Sequence, residues 1–247
     1  TVQRAFYLAT VFAHRPKQIV DLYCPGYRYE VSAPAPMYSR PQLFAMAAGA
    51  RRCLDARPGW LVRQEESERA EEFLRPFSPP FIAFQPRATC AARSLSAAQA
   101  GDLARLLSAL GTVLWLDCID AQPMPVRTRA PVVNISRMVV PDAAAVFQRT
   151  QCAVLVDSLF MHLAAAFLVP AVVLLGPTSG RAVTASYPRM LPIDGTSEAC
   201  PNPCHYDSTR GWRRDECRAS GCSRMASHGP EAVLERCRRW LAKEAAL

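Results

Sequence analysis

The segment Val154-Leu-Val-Asp157-Ser158-Leu-Phe-Met-His162-Leu-Ala-Ala-Ala-Phe-Leu-Val-Pro170-Ala-Val-Val-Leu-Leu-Gly176-Pro177-Thr178 decides the fold. A short apolar run ends at Asp157, a helical pattern broken by His162 follows, and after Pro170 a second apolar run leads to Gly176. Strand, helix and strand in so short a span form the repeating unit of a parallel sheet. The first turn then sets Asp157 and Ser158 at the carboxyl edge of that sheet, where open α/β folds hold their ligands. Free N–H groups of the helix's first turn and its dipole favour an anion such as a pyrophosphate there. His162 lies one helical turn beyond Ser158 and can share its face. The plainer alternative is that Asp157 only caps the helix and His162 is structural.

Working outward, the same texture extends in both directions. Strands are expected at Phe81–Gln85, Val113–Asp117, Ala153–Val156, Ala171–Leu175 and Met190–Ile193. Helices are expected between them: Ala97 to Leu110 with four leucines on one face, Asp142 to Thr150, Ser158 to Leu168, and a closing amphipathic helix over Pro230 to Ala246. Before Phe81 the pattern differs. Thr1 to Lys17 and Gln42 to Ala56 read as helices separated by a proline-rich stretch, and Glu65 to Arg75 reads as a charged helix stopped by Pro76. Pro76, Pro79 and Pro80 mark a domain boundary, giving a mainly helical, incomplete segment over 1–76 and an α/β domain over 77–247.

The chain has 247 residues, half of them hydrophobic, which is enough for a substantial core and excludes disordered and disulfide-scaffold classes. Its longest apolar run, Ala153 to Gly176, is interrupted by Asp157, Ser158, His162 and Pro170, so no transmembrane segment is expected. The net charge is +8, and 27 of the 29 basic residues are arginine, yet no long basic run occurs. The charge is compatible with an anionic ligand without selecting one. Neither a signal peptide nor an initiator Met is seen, and the chain is expected to be a piece of something longer.

Six of the ten cysteines are scattered in apolar surroundings and read as small buried hydrophobes. The other four are paired: Cys200-Pro-Asn-Pro-Cys204, then twelve residues, then Cys217-Arg-Ala-Ser-Gly-Cys222. Four thiolates brought together by a loop over 200–224 match one tetrahedral Zn or Fe site, with two disulfides as the weaker alternative. His205, next to Cys204, reads as a bystander, with substitution as a ligand the alternative. A nucleic-acid-binding zinc ribbon is the competing reading, suggested by Arg210, Arg213, Arg214 and Arg218; Asp207, Asp215 and Glu216 dilute that charge, so no nucleic-acid partner is expected.

Val156-Asp157-Ser158-x-x-x-His162-Leu-Ala-Ala-Ala, followed by Pro170 and an apolar strand into Leu175-Gly-Pro-Thr178, resembles the donor-domain signature of glycosyltransferase family 9, the heptosyltransferase type. Ile82-Ala-Phe-Gln-Pro86-Arg87-Ala88 with Arg93-Ser-Leu resembles that family's strand, His-Pro-Gly segment and basic residue, and Asp142–Cys152 resembles the helix before the signature. The spacing of the paired cysteines resembles the autotransporter heptosyltransferases, whose structural iron sits in a finger there and which assemble into rings. Two departures stand out. Leu159 occupies a position where the family usually has glycine, and Leu116-Asp117-Cys118 replaces its Gly-Gly and Glu.

The resemblance implies a GT-B-like, Rossmann-type donor-binding domain with a metal loop built on four cysteines, preceded by the tail of an acceptor domain. It implies transfer of a sugar from a nucleotide-activated donor, with ADP-heptose the donor it suggests, to a hydroxyl of a protein or lipopolysaccharide in the bacterial cytoplasm. Arg93, Asp157, Ser158, His162 and Thr178 would contact the donor, while Cys200, Cys204, Cys217 and Cys222 would hold one structural Fe or Zn. The family's catalytic base lies near the start of its N-terminal domain, and no matching glycine-rich strand occurs here, so no catalytic residue is assigned. An oligomer, or an N-terminal partner fragment that completes the acceptor half, is the expected assembly. The alternative is a non-catalytic nucleotide-binding or assembly subunit that retains the donor fold.

Overall fold

The computed structural model describes residues 58–117, 128–204 and 221–244. The helices expected over 1–17 and 42–56, and the middle of the cysteine loop with Cys217 and His205, lie outside the described residues.

Among the described residues six strands form one sheet: β1 (Phe81–Phe84), β2 (Thr112–Trp115), β3 (Val132–Asn134), β4 (Cys152–Val156), β5 (Ala171–Leu175) and β6 (Met190–Asp194). Every neighbouring pair is parallel, in the order β3-β2-β1-β4-β5-β6. β1, β2, β4 and β5 are buried at every position, which is why they read as unbroken apolar runs rather than alternating ones. The order runs outward from β1 through β2 and β3 on one side and from β4 through β5 and β6 on the other. The chain therefore reverses its winding between β1 and β4, and the crevice beyond their carboxyl ends is the place for a ligand.

Helices cover both faces. α1 (Gln64–Leu74) packs on α3 (Val140–Phe147), joined by Arg69 to Asp142 and by Arg149 to Ser67 and Glu71. With α4 (Leu159–Phe167) and the short α5 (Gly180–Thr184) they close a core around Ala83, Leu114, Leu155 and Val173. On the other face α2 (Ala97–Leu107) and α7 (Pro230–Glu244) bury Leu103, Leu107, Val233 and Leu234 against Ile82, Phe84, Val154 and Leu174. Burying each such side chain contributes roughly 1.5–3 kcal/mol. α2 begins where Ser96 accepts from the Gln99 amide and Gln99 Oε1 accepts from the Ser96 amide, a reciprocal cap. Among the described residues no helix is long and apolar enough to cross a membrane.

The observed elements differ from the sequence expectation in several places. β3 is an additional edge strand of three half-buried residues. α3 begins at Val140 rather than Asp142, because a proline in the first turn has no N–H that the helix needs. α4 stops at Phe167, where Leu168 turns left-handed at φ 58° ahead of Pro170. α2 ends at Leu107 instead of Leu110, and α5 and α6 (Ser223–Ala226) were not expected.

Candidate functional site

Three strand exits deliver side chains to one spot at the carboxyl edge. Asp157, 7% exposed, follows β4, and its Oδ2 accepts a hydrogen bond of 3.0 Å from Thr178 Oγ1, which follows β5 and is fully buried. Arg93 comes from the β1–α2 connection, at the end of a 3-10 turn over Ala91–Arg93. Its Nη1 donates to the Asp157 main-chain oxygen at 2.8 Å and lies 3.9 Å from Oδ1, while Nη2 donates to Thr89 Oγ1 at 3.1 Å. Ser158 is the N-cap residue of α4 and its side chain forms no cap bond, while the Asp157 carboxylate accepts from Thr178.

Ser158 and His162 stand beside this chain of bonds but are held by other residues. Ser158 Oγ accepts from Gln85 Nε2 at 3.1 Å, which ties the exits of β1 and β4 together. Gln85 is 3% exposed, and its Oε1 has no partner among the described residues. His162 is exposed, with Nδ1 2.7 Å from the hydroxyl of Tyr187 and the two rings edge to face at 5.7 Å. Burial, and then the Asp157 carboxylate, push the Tyr187 phenol above its ordinary range, so it keeps its proton and can donate to Nδ1. The structure therefore joins Arg93, Asp157 and Thr178 directly, and brings His162 to the group through Tyr187.

A second polar link lies one strand over. Arg87 pairs with Asp117 through Nε at 2.8 Å and through Nη2, linking the exits of β1 and β2; the Asp117 carboxylate is fully buried. Beside it opens a pocket of about 300 Å³ lined by Arg87, Thr89, Ser94, Ser96, Gln99 and Cys222. The guanidinium of Arg87 is neutralised by its partner. Arg93 directs its shortest bonds at the Asp157 main-chain oxygen and the Thr89 hydroxyl, with the Asp157 carboxylate 3.9 Å away.

The cysteine loop abuts the same edge. Cys200, Cys204 and Cys222 are partly buried free thiols. The Cys200 thiol is pushed up by burial and then by Cys204 and Cys222, so the three lie near enough to sense one another. Among the described residues no group of three His, Cys, Asp or Glu side chains is arranged to hold a metal ion, and Cys217 is outside those residues. A Cβ on Gly176 would meet Cys222 Sγ at 3.1 Å, which shows how closely the loop seats on the exit of β5.

Gln85, Arg87, Asp117, Tyr187 and Arg224 are site neighbours that sequence reasoning did not assign. Gln85 and Arg87 stood within the segment likened to His-Pro-Gly, and Asp117 within the segment that departs from the family's Gly-Gly and Glu; Tyr187 and Arg224 carried no signal.

The family model for glycosyltransferase family 9 (heptosyltransferase) matches residues 42–202. Among solved structures, the ADP-heptose LPS heptosyltransferase II of E. coli superposes with a TM-score of 0.62 at 18% identity, over 84% of this chain and 63% of its own. A glycosyl transferase family 9 protein of Veillonella parvula DSM 2008 superposes with a TM-score of 0.60 at 14% identity, over 84% of this chain and 61% of its own. At these identities the likeness is one of fold, and the chain spans less than two thirds of either protein's length. The iron-containing dodecameric glycosyltransferase TibC of enterotoxigenic E. coli H10407 matches at a TM-score of 0.43 and 16% identity, over 66% of this chain and 46% of its own, too loosely to bear on metal or assembly. No curated protein matches the sequence significantly.

Proposed function

The chain belongs to glycosyltransferase family 9, the heptosyltransferase family, and from that premise we propose that its carboxyl edge binds a nucleotide-activated sugar, with ADP-heptose the first candidate. The sugar passes to a hydroxyl of a protein or lipopolysaccharide in the bacterial cytoplasm. The observation that carries this reading is the convergence of Arg93, Asp157 and Thr178 from three strand exits at the reversal of the sheet.

Each residue has a physical role in the proposal. Arg93 offers a planar guanidinium to the diphosphate oxygens, and the first turn of α4 adds N–H groups and a positive dipole end. As the acceptor oxygen attacks the sugar and the bond to the diphosphate breaks, these groups stabilise the charge that develops on the leaving group. Asp157, fixed by Thr178, accepts hydrogen bonds from donor hydroxyls. Ser158 and His162 are donor contacts held in place by Gln85 and Tyr187. The base that deprotonates the acceptor is assigned to no residue of this chain. Residues 77–247 form the donor-binding domain in this reading, and 1–76 belong to an acceptor-type domain, of which α1 packs on α3. Calorimetry with ADP and ADP-heptose tests it: binding is expected, and a folded chain that takes up neither at millimolar concentration overturns the assignment.

Cys200, Cys204, Cys217 and Cys222 are proposed to hold one structural Fe or Zn ion. The soft thiol donors suit either metal, and Cys200, Cys204 and Cys222 are partly buried free thiols. Metal binding would supply the free energy that orders the loop, and an oligomeric assembly accompanies it in this reading. Elemental analysis should find close to one metal per chain, and Cys204→Ser should lose it. Metal-free protein with two disulfides would refute the site.

A further inference from the structure

In an arginine-rich chain nothing in the sequence singles out Arg224, yet it is one of the few charged side chains in the interior, 4% exposed. Its Nε donates to the Gly176 carbonyl at 3.0 Å, and its Nη1 donates to the carbonyls of Cys200 and Pro201 at 3.1 and 2.9 Å. Among the described residues these partners are all main-chain oxygens. A buried guanidinium is costly unless its donors are satisfied, so three carbonyls from two separated segments are bound to one rigid fork. The surroundings leave little slack. A Cβ on Gly195 would lie 1.9 Å from the Arg224 carbonyl oxygen, and one on Gly176 would lie 2.6 Å from Met225 Cγ.

Gly176 stands two residues before Thr178, whose hydroxyl holds Asp157. Between them, the Pro177 carbonyl lies 3.9 Å from Cys204 Sγ. The path from the cysteine loop to the candidate site is thus continuous: Cys200 and Pro201 to Arg224, Arg224 to Gly176, and Pro177 to Thr178 and Asp157. We infer that Arg224 is a positioning residue for donor binding, which seats Thr178 against Asp157 only when the 200–204 segment is docked. This inference rests on the donor-site reading above. It makes the cysteine loop part of the donor site's support rather than a separate ornament of the domain.

Calorimetric titration of ADP into the wild type, Arg224→Met, Thr178→Val and the double variant tests it, with thermal melting as the check on folding. Arg224→Met is expected to weaken ADP binding about tenfold, and Thr178→Val is expected to cost little more in that background than it does alone, since both act through the same hydroxyl. Unchanged affinity in a folded Arg224→Met protein, or losses that simply add, would overturn the inference. Should Arg224→Met fail to fold, Arg224→Gln, which keeps donors for part of the carbonyl set, is read by the same criteria. If the wild type binds no ADP, the donor reading itself falls. Amide exchange around Thr178 then decides the positioning role, being faster in the Arg224 variant if the inference holds and unchanged if it does not.

Discussion

The two edges of the sheet make an instructive pair. Among the described residues a hollow of about 590 Å³ opens at the amino edge, between Pro80, Thr150, Phe167, Leu168 and Arg189, and one of about 300 Å³ at the carboxyl edge. At the amino edge the polar side chains are engaged by the main chain: Thr150 bonds the Phe147 carbonyl, and Gln151 takes the Phe81 amide and gives to the Arg149 carbonyl. At the carboxyl edge several bond one another, Arg87 with Asp117, Gln85 with Ser158 and Thr178 with Asp157, while Arg93 and Arg224 reach main-chain oxygens. The difference teaches that size does not locate the site. Polar groups that converge from several strand exits, and not the volume of a hollow, mark the place for a ligand.

The comparison can be broken at four points. The largest effect is expected at the amino edge, where a Cβ on Gly111 would meet the Pro80 carbonyl oxygen at 2.1 Å. Gly111→Ala should cost about 2–3 kcal/mol of stability, measured by denaturant unfolding, and leave ADP affinity unchanged in the folded fraction. A loss of affinity would show that the two edges are not independent. Arg93→Ala should do the reverse, lowering ADP affinity by roughly 1.5–3 kcal/mol in calorimetry with little change in melting temperature. Tyr187→Phe removes the hydroxyl that holds His162; its expected cost in ADP affinity is about 1 kcal/mol, and no cost at all would take His162 out of the site.

The smallest effect is a pH dependence confined to the carboxyl edge. Burial holds His228 below its ordinary value near 6.5, and its Nε2 lies 3.1 Å from the Leu175 carbonyl oxygen. As pH falls through that ordinary value, the unfolded chain takes up a proton that the folded chain refuses. Stability contributed by the neutral ring is therefore complete above it and declines as the solution is acidified. Melting temperatures measured from about pH 7.5 down to about pH 5.5 should fall, and His228→Gln should flatten the slope. An unaltered slope would move the acid sensitivity elsewhere.

What could be read beforehand follows the reach of each interaction. β1, β4 and β5 were legible because strands buried on both faces must be apolar throughout. The Asp157-Ser158 junction was legible because strand, turn and helix are contiguous there. β3 was not, since Val132-Val133-Asn134 is only half buried at an edge and offers too short an apolar run. The bond from Thr178 to Asp157, that from Gln85 to Ser158 and the hold of Arg224 on Gly176 each join residues far apart in the chain, and no local pattern records them. Arg93 could be picked out only by its likeness to a family motif and Arg224 not at all, and the deep burial of Arg224 arises only once the sheet is assembled.

The order of the strands also bears on how the protein is made. A chain emerging amino end first can pair β2 with β1 and then β3 with β2, each pairing involving the strand just synthesised. The other side of β1 must wait until Cys152 to Val154 have appeared to pair with Ile82 to Phe84. Until then the nascent half-sheet presents a fully apolar strand with open backbone hydrogen bonds, the sort of edge that invites another chain. Slow translation between β3 and β4 should therefore raise aggregation during expression more than an equal pause after β4.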